Sequence, residues 1–412
     1  MGSCHKSSQR VFQRNSRWRS TFVLLLPLFI AVSLPAQMKL LSRERGWFVT
    51  AGRLLWTSDN GAHWKDITPR GPAIPKGAKL GSVFFLDASE GWATLSYPEP
   101  IPVPTPQALA NQKTLYRIAH TDNSGETWDG RPLSYPPLLE AEQEAFAGPV
   151  SLYFLDSMHG WLDVTFESMS DPGKLLATDD GGQTWNWVSS PNHSGPMYFH
   201  SLNDGWIISN YGARQLYVTH DGTKSWQETH LNVPTELGSP IYPEFLTLPL
   251  FKDSDTGYLA VNYYGPGYRS PALVVYVTNS GGRSWRPLKS IAVSKDTHVA
   301  LVDSIVILPT NAGAGEPSTE SVSLANQSQP AKPVTSQDQS GVLAFSFLDE
   351  NNGWTLKVSG QGGLFSTEDG GATWKNISPP SRTTPAHQII IRPAAVPGKS
   401  TVTPSGAPLA VP

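Results

Sequence analysis

Arginine and tyrosine on glycine-containing segments are the residues of this 412-residue chain best suited to chemistry. A guanidinium can fork onto a carboxylate, and a tyrosine ring gives a flat contact ending in a hydroxyl. Such residues stand at Arg53, in Ser209-Asn-Tyr211-Gly-Ala-Arg214 and in Asn262-Tyr263-Tyr264-Gly-Pro-Gly-Tyr268-Arg269. Tyr and Arg beside adaptable Gly and Asn are favoured contact types at interfaces, so these positions are expected to bind a protein or a glycan. The competing reading is that the aromatic loops only cap the interior of a scaffold. Catalysis would ask for more. Glycosidic cleavage needs two carboxylates across a pocket. Glu99, Glu140, Glu142 and Glu144 are available, but the last three fall on a short solvated helical stretch within Pro137 to Phe146. His63, His120, His159 and His220 lack metal-ligand spacing, and no Ser-His-Asp set, phosphate loop or redox motif is present. No catalytic residue, metal site or cofactor is therefore assigned.

The elements that position these residues come from a repeat. Six times the chain carries Thr-x-Asp-x-Gly-x-x-Trp or a close variant: Thr57 to Trp64, Thr121 to Trp128, Thr178 to Trp185, Thr219 to Trp226, Thr278 to Trp285 and Thr367 to Trp374. Upstream of each lies a second phrase, an apolar run followed by Gly-Trp or Gly-Tyr, at Gly46, Gly91, Gly160, Gly205, Gly257 and Gly353. The alternation has period two, so each unit reads as four short antiparallel strands. The Asp-x-Gly core makes the turn between strands three and four. There the aspartate can accept backbone N–H groups and the glycine can take positive φ.

A four-stranded unit cannot bury both faces alone. Radial stacking on copies of itself gives an all-β propeller, and seven blades are expected, with six as the alternative. The seventh comes from the gap between 257 and 353, about twice the basic spacing of 45 residues. Its strand-like segments His298 to Asp303 and Ser304 to Leu308 read as a degenerate blade without the eight-residue phrase. A proline-rich insert at 97–113, a Ser/Ala/Gln/Pro-rich stretch at 309–341 and a tail at 393–412 read as loop or disordered segments outside the repeats, with the propeller spanning 37–392. Gln388 to Ile391 is a candidate closing strand.

The phrase resembles the Asp box, or bacterial neuraminidase repeat. Its pairing with Phe-x-Asp…Gly-Trp looks like the photosystem II stability/assembly factor-like group of propellers. The resemblance covers about residues 38 to 383. It implies structural roles for Asp59, Trp64, Trp128, Asp180, Trp185, Asp221, Trp226, Trp285, Asp369 and Trp374, with the tryptophans packed between blades. It does not select a chemistry, since such boxes occur in sialidases, other glycosidases, sorting receptors and non-catalytic scaffolds. The chain departs from the pattern at Asn123, Ser280 and Thr223, and such losses suit turn locks better than a ligand set. For a sialidase, no Arg-Ile-Pro phrase precedes the first copy and no glutamate is paired with a tyrosine.

The first 36 residues carry five basic and no acidic side chains, then an apolar stretch from Thr21 to Ala36. This reads as an export signal, cleaved after Ala36 or retained as a membrane anchor, and implies a periplasmic or extracellular protein. Cys4, the sole cysteine, precedes the apolar stretch, the wrong side for lipidation after it. Without the leader, 26 basic face 34 acidic side chains, a net of −8, which argues against nucleic acid as a partner. The expected function is a non-catalytic extracytoplasmic binding or assembly scaffold, with a secreted glycoside hydrolase as the alternative.

Overall fold

The computed structural model describes residues 37–138, 146–166, 173–191, 193–209, 215–238, 242–265, 272–293, 298–309, 317, 319–324, 342–357 and 362–380. Strand follows strand in seven antiparallel sheets, each made from one contiguous stretch of chain. Blade I holds β1 (Met38–Leu40), β2 (Gly46–Thr50), β3 (Arg53–Thr57) and β4 (Lys65–Asp66). Blade II holds β5 (Lys79–Phe85), β6 (Gly91–Pro98), β7 (Thr114–Thr121) and β8 (Asp129–Pro132). Blade III comprises β9 (Phe146–Phe154), β10 (Gly160–Phe166), β11 (Gly173–Thr178) and β12 (Asn186–Val188). Blade IV comprises β13 (Met197–Phe199), β14 (Gly205–Ile208), β15 (Leu216–Thr219) and β16 (Gln227–Glu228). In blade V the first strand is split into β17 (Tyr242–Phe245) and β18 (Leu250–Phe251), both paired with β19 (Thr256–Tyr264), followed by β20 (Ala272–Asn279) and β21 (Arg286–Ala292). Blade VI has, among the described residues, three strands, β22 (Ala300–Val302), β23 (Ile305–Pro309) and β24 (Thr319–Ser323). Blade VII has β25 (Val342–Phe347), β26 (Gly353–Lys357), β27 (Gly363–Thr367) and β28 (Lys375–Asn376). The protein is a seven-bladed β-propeller, and the degenerate blade expected after 257 is blade VI.

Three details differ from the sequence reading. The stretch read as disordered at 309–341 contains β24, whose Val322 packs on Val306 and Leu308; the paired β23 edge overrides its polar composition. The proline-rich insert contains a one-turn helix, α1 (Pro106–Ala110), started by Thr105 Oγ1 accepting the Ala108 N–H. The split first strand of blade V begins eight residues before the apolar run that signalled it. The helical stretch expected from Pro137 overlaps residues outside those described, as do 1–36 and 381–412 with their leader and closing-strand expectations.

The Gly-Trp phrase has a packing reason. A Cβ on Gly91, Gly160, Gly205, Gly257 or Gly353 would come within 3 Å of the ring of Phe85, Phe154, Phe199, Phe251 or Phe347, the last aromatic of the preceding strand in each blade. That phenylalanine is clamped. The Gly-Trp indole of the preceding blade lies against one side, as Trp92 on Phe154 (3.7 Å, 8°) and Trp161 on Phe199 (3.6 Å, 1°). Its own blade's boxed tryptophan meets it edge-on, as Trp185 on Phe154 (6.0 Å, 79°), Trp128 on Phe85 (6.2 Å, 81°) and Trp374 on Phe347 (6.2 Å, 84°). Offset and edge-on pairs of this kind add to plain burial.

The boxed tryptophans divide. Trp128, Trp185, Trp285 and Trp374 are buried, whereas Trp64 and Trp226 are half-buried. Both still lie between blades, Trp64 against Trp354 (5.8 Å) and Trp226 against the core of blades III and IV; what is corrected for these two is full burial. Each donates its Nε1–H to the preceding blade, to the Ile377 and Ser189 carbonyls (2.8 Å each), and keeps part of its ring exposed. Trp128 makes the same bond to Ile67, but Ile74 of the long I–II connection covers it.

Candidate functional site

Two ends of the propeller present loops. At one end, each eight-residue turn is clasped to the turn between the first two strands of its own blade. The N–H groups of Asn60, Ser124, Gly181, Gly222, Gly281 and Gly370 donate to the carbonyls of Glu44, Ser89, Met158, Asn203, Asp255 and Asn351, at 2.8 to 3.1 Å. Both turn sets therefore share one end, as expected from the strand order.

Inside each turn the chemistry is consumed locally. The buried threonine hydroxyl accepts the N–H four residues on, at 2.8 Å for Gly61 and Gly371, 2.9 Å for Gly125 and Gly182, 3.0 Å for Gly282 and 3.1 Å for Thr223. It donates to the aspartate, which in turn accepts the backbone N–H of the residue immediately before the tryptophan: His63, Thr184, Ser225 and Thr373, at 2.8 to 3.0 Å. The second carboxylate oxygen takes a hydroxyl from Thr184, Ser225 or Thr373 at 2.6 Å. These donors hold Asp221 and Asp369 down at about 2, led by the Ser225 and Thr373 hydroxyls. Asp59 is also held at about 2, led by the His63 N–H. For Asp180, burial pushes upward, yet the Thr184 bonds outweigh it and the group is lowered.

The departures fit the same scheme. Asn123 Oδ1 accepts the Thr127 N–H at 2.9 Å, and its Nδ2 donates to Thr127 Oγ1 at 2.7 Å, reversing the polarity of that bond. Ser280 Oγ accepts the Ser284 N–H at 3.1 Å. Thr223 adopts φ 66°, in the left-handed region that glycine occupies in its sister turns.

A cleft of about 300 Å³ opens at this end between blades II and III. On its blade II side His120 and Glu90 are paired (3.2 Å), with the His120 ring over Trp92 (5.0 Å). Arg131 is paired with Asp129 (2.7 Å), and Asp180 is engaged in its turn. The sequence reading did not single out this cleft. Its one signal was His120 immediately before the boxed Thr121.

Of the expected binding residues, Arg53 stands at the opposite end. Arg53 opens β3 after the Ala51-Gly52 turn, whose φ values are 49° and 71°. It lines a groove of about 530 Å³ between blades I and VII, with Phe48, Leu356, Leu364 and Pro379 as apolar walls. Its guanidinium stands 3.9 Å from Asp66, which also holds Arg70 at 2.9 Å.

Tyr263 and Tyr264 are corrected: they are buried strand residues, not loop contacts. β19 runs on through both, because Tyr263 OH meets Tyr276 OH (2.7 Å) and Tyr264 OH donates to Glu244 (2.8 Å). Burial raises the Tyr263 and Tyr276 hydroxyl pKa values. Tyr211, Arg214, Tyr268 and Arg269 lie outside the described residues. Among the described residues, no group of three or more His, Cys, Asp or Glu is placed to hold a metal ion.

Seven antiparallel blades, six of them carrying a turn tied by its threonine hydroxyl, define the class, a repeat β-propeller. No family model matches the chain. It is similar, at 25% identity over 264 residues, to the photosystem II assembly lipoprotein Ycf48 of Synechococcus sp. (strain CC9902), covering 63% of this chain and 68% of that protein. The expected likeness to photosystem II assembly factor-like propellers is thereby found. Among solved structures, YCF48 from Cyanidioschyzon merolae is 16% identical with a TM-score of 0.41, over 75% of this chain and 88% of that one. YCF48 bound to D1 peptide is 17% identical with a TM-score of 0.36, over 84% and 82%.

Proposed function

We propose that this chain is a non-catalytic assembly scaffold, exported from the cytoplasm, that binds a protein partner through the end of the propeller carrying Arg53. The observation that carries the reading is where the carboxylates are spent. Asp59, Asp180, Asp221 and Asp369 each accept backbone N–H groups of their own turn, Glu90 faces His120, and Asp129 holds Arg131. A glycosidase needs one carboxyl group to give a proton and another to attack or activate water across a shared pocket. Carboxylates whose oxygens already tie a turn, and whose pKa values are pulled down, are poor proton donors at neutral pH. The turns behave as Asp boxes used for structure. Likeness to an assembly lipoprotein supports the scaffold reading, and the leader at 1–36 supports export.

The groove suits a peptide carrying an acidic side chain between small apolar ones, since a guanidinium stands over apolar walls. The test is capture of partners from cell-envelope extract by the full chain, followed by cross-linking. Arg53→Glu with Arg269→Glu should reduce specific capture at least tenfold with an unchanged melting temperature. Undiminished capture, or turnover of a sialoside or polysaccharide by the unaltered protein, would overturn the reading.

A further inference from the structure

Equivalent positions of the repeat carry different charges at different blade junctions. Lys65 directly follows the boxed Trp64 of blade I, and its ammonium crosses to Glu126, two residues before the boxed Trp128 of blade II, at 3.2 Å. Asp204, just before Gly205 of blade IV, takes a cation from the next blade: Arg283, two residues before Trp285, stands 3.7 Å away. At both junctions a basic side chain of the protein itself spans two blades, at the end that carries the eight-residue turns.

Between blades II and III the signs differ. Asp129 holds the position of Lys65, Glu90 holds that of Asp204, and blade III presents Gln183 in the place of Glu126 and Arg283. All three line the cleft between these blades. The basic groups there stay within blade II. Arg131 puts Nε and Nη2 on Asp129 Oδ2, at 2.8 and 2.7 Å, so Oδ1 remains as an acceptor. The His120 ring meets Glu90 Oε1 through Nε2 at 3.2 Å. A carboxylate oxygen can only accept, so Nε2 carries the proton and the neutral ring keeps a lone pair at Nδ1. His120 is the cross-strand partner of Asp129, which sets their side chains on one face with Cβ atoms about 5 Å apart. Acceptors therefore gather on the blade II wall, while Ile118 and the exposed Met158 add apolar surface. With His120 neutral, Glu90, Asp129 and Asp180 against Arg131 leave the lining at a net charge of −2.

We propose that this cleft binds a single organic cation on an apolar stem, a guanidinium or primary ammonium group, in the place that the protein's own Lys65 and Arg283 fill at the sister junctions. At about 300 Å³ it is at the small end of ligand sites, enough for a free alkylamine or for one lysine or arginine side chain of a polypeptide. The stem lies on Ile118 and Met158, and the charged head meets Glu90, Asp129 and His120. The site is at the end of the propeller away from Arg53 and does not rest on the reading of that groove.

The probes are butylguanidinium, its uncharged counterpart butylurea, and a blocked tripeptide with arginine at its centre, each titrated calorimetrically into the full-length protein at low ionic strength. Saturable binding of both guanidinium probes, and none of butylurea, is expected. Gln183→Arg supplies the cation from within and should weaken that binding at least tenfold, with an unchanged melting temperature because Gln183 is exposed. Glu90→Gln removes an acceptor charge and should weaken it as well. Tighter binding of the tripeptide than of butylguanidinium assigns the site to a polypeptide side chain, the reverse order to a free amine, and both orders support an organic cation here. The proposal is overturned if neither cation binds saturably, if butylurea binds equally, or if binding is undiminished in either variant.

Discussion

A single carboxylate in the eight-residue turn replaces several bonds that a turn would otherwise owe to water. Asp180 takes the Gln183 and Thr184 N–H groups and the Thr184 hydroxyl. Asn123 shows that a carboxamide satisfies the same geometry. Asp180→Asn should therefore fold normally and lose at most about 1 to 2 kcal/mol, measured by urea unfolding, because only one local side-chain bond changes strength. A larger loss, or stoichiometric metal that vanishes with the substitution, would contradict the turn-lock role. The pH dependence has a definite sign. Asp59, Asp221 and Asp369 titrate at about 2 in the folded protein, below the ordinary carboxylate value. Their contribution is complete above about pH 4 and lost as pH falls toward 2. Melting temperature should fall across that window, and less steeply in Asp369→Asn.

At the level of the blade, the tryptophan phrases are legible in sequence because packing demands them. Trp185 is 1% exposed and meets Phe154 edge-on, whereas Trp187 is half-buried, bonded to the Pro136 carbonyl and beside Tyr135. Trp185→Ala should cost about 3 to 5 kcal/mol, and Trp187→Ala clearly less, by thermal or urea unfolding. Equal losses would refute the clamp. What the sequence concealed has physical causes. Tyr263 and Tyr264 sit beside Gly-Pro-Gly and read as loop, but β19 extends through them because Tyr276 and Glu244 offer buried hydrogen-bond partners. β24 was hidden in a polar stretch because half of a strand at the rim of a sheet faces water, and Val322 alone carries its apolar signal. The cleft at His120 was hidden because its lining comes from two blades, with Glu90 and His120 in one and Met158 and Asp180 in the next.

For the whole ring, the informative place is the seam between blades I and VII. There Leu40 donates its N–H to Ser346 Oγ (2.9 Å), Trp354 Nε1 donates to Asn60 Oδ1 (2.9 Å), and Leu40, Phe48, Trp354, Leu356, Leu364 and Ile377 form one core. No described strand crosses it: blade I is built wholly from the early chain and blade VII wholly from the late chain. The junctions from I–II through V–VI likewise carry side-chain cores. Moving the chain break from the I–VII seam to the III–IV connection, with a linker joining 380 to 37, should give a circular permutant that folds and melts as one unit in calorimetry. Failure to fold would mean that the native break has a special role. Because the described strands of each blade come from one contiguous stretch of chain, hydrogen bonds between them do not wait for distant residues. A ribosome releasing this chain from its first residue would let blade I pair its strands long before blade VII exists. The flank of blade I at Phe48 and Leu40 would stay uncovered until Trp354 and Ile377 arrive, so the last blade made is the one that shields the first.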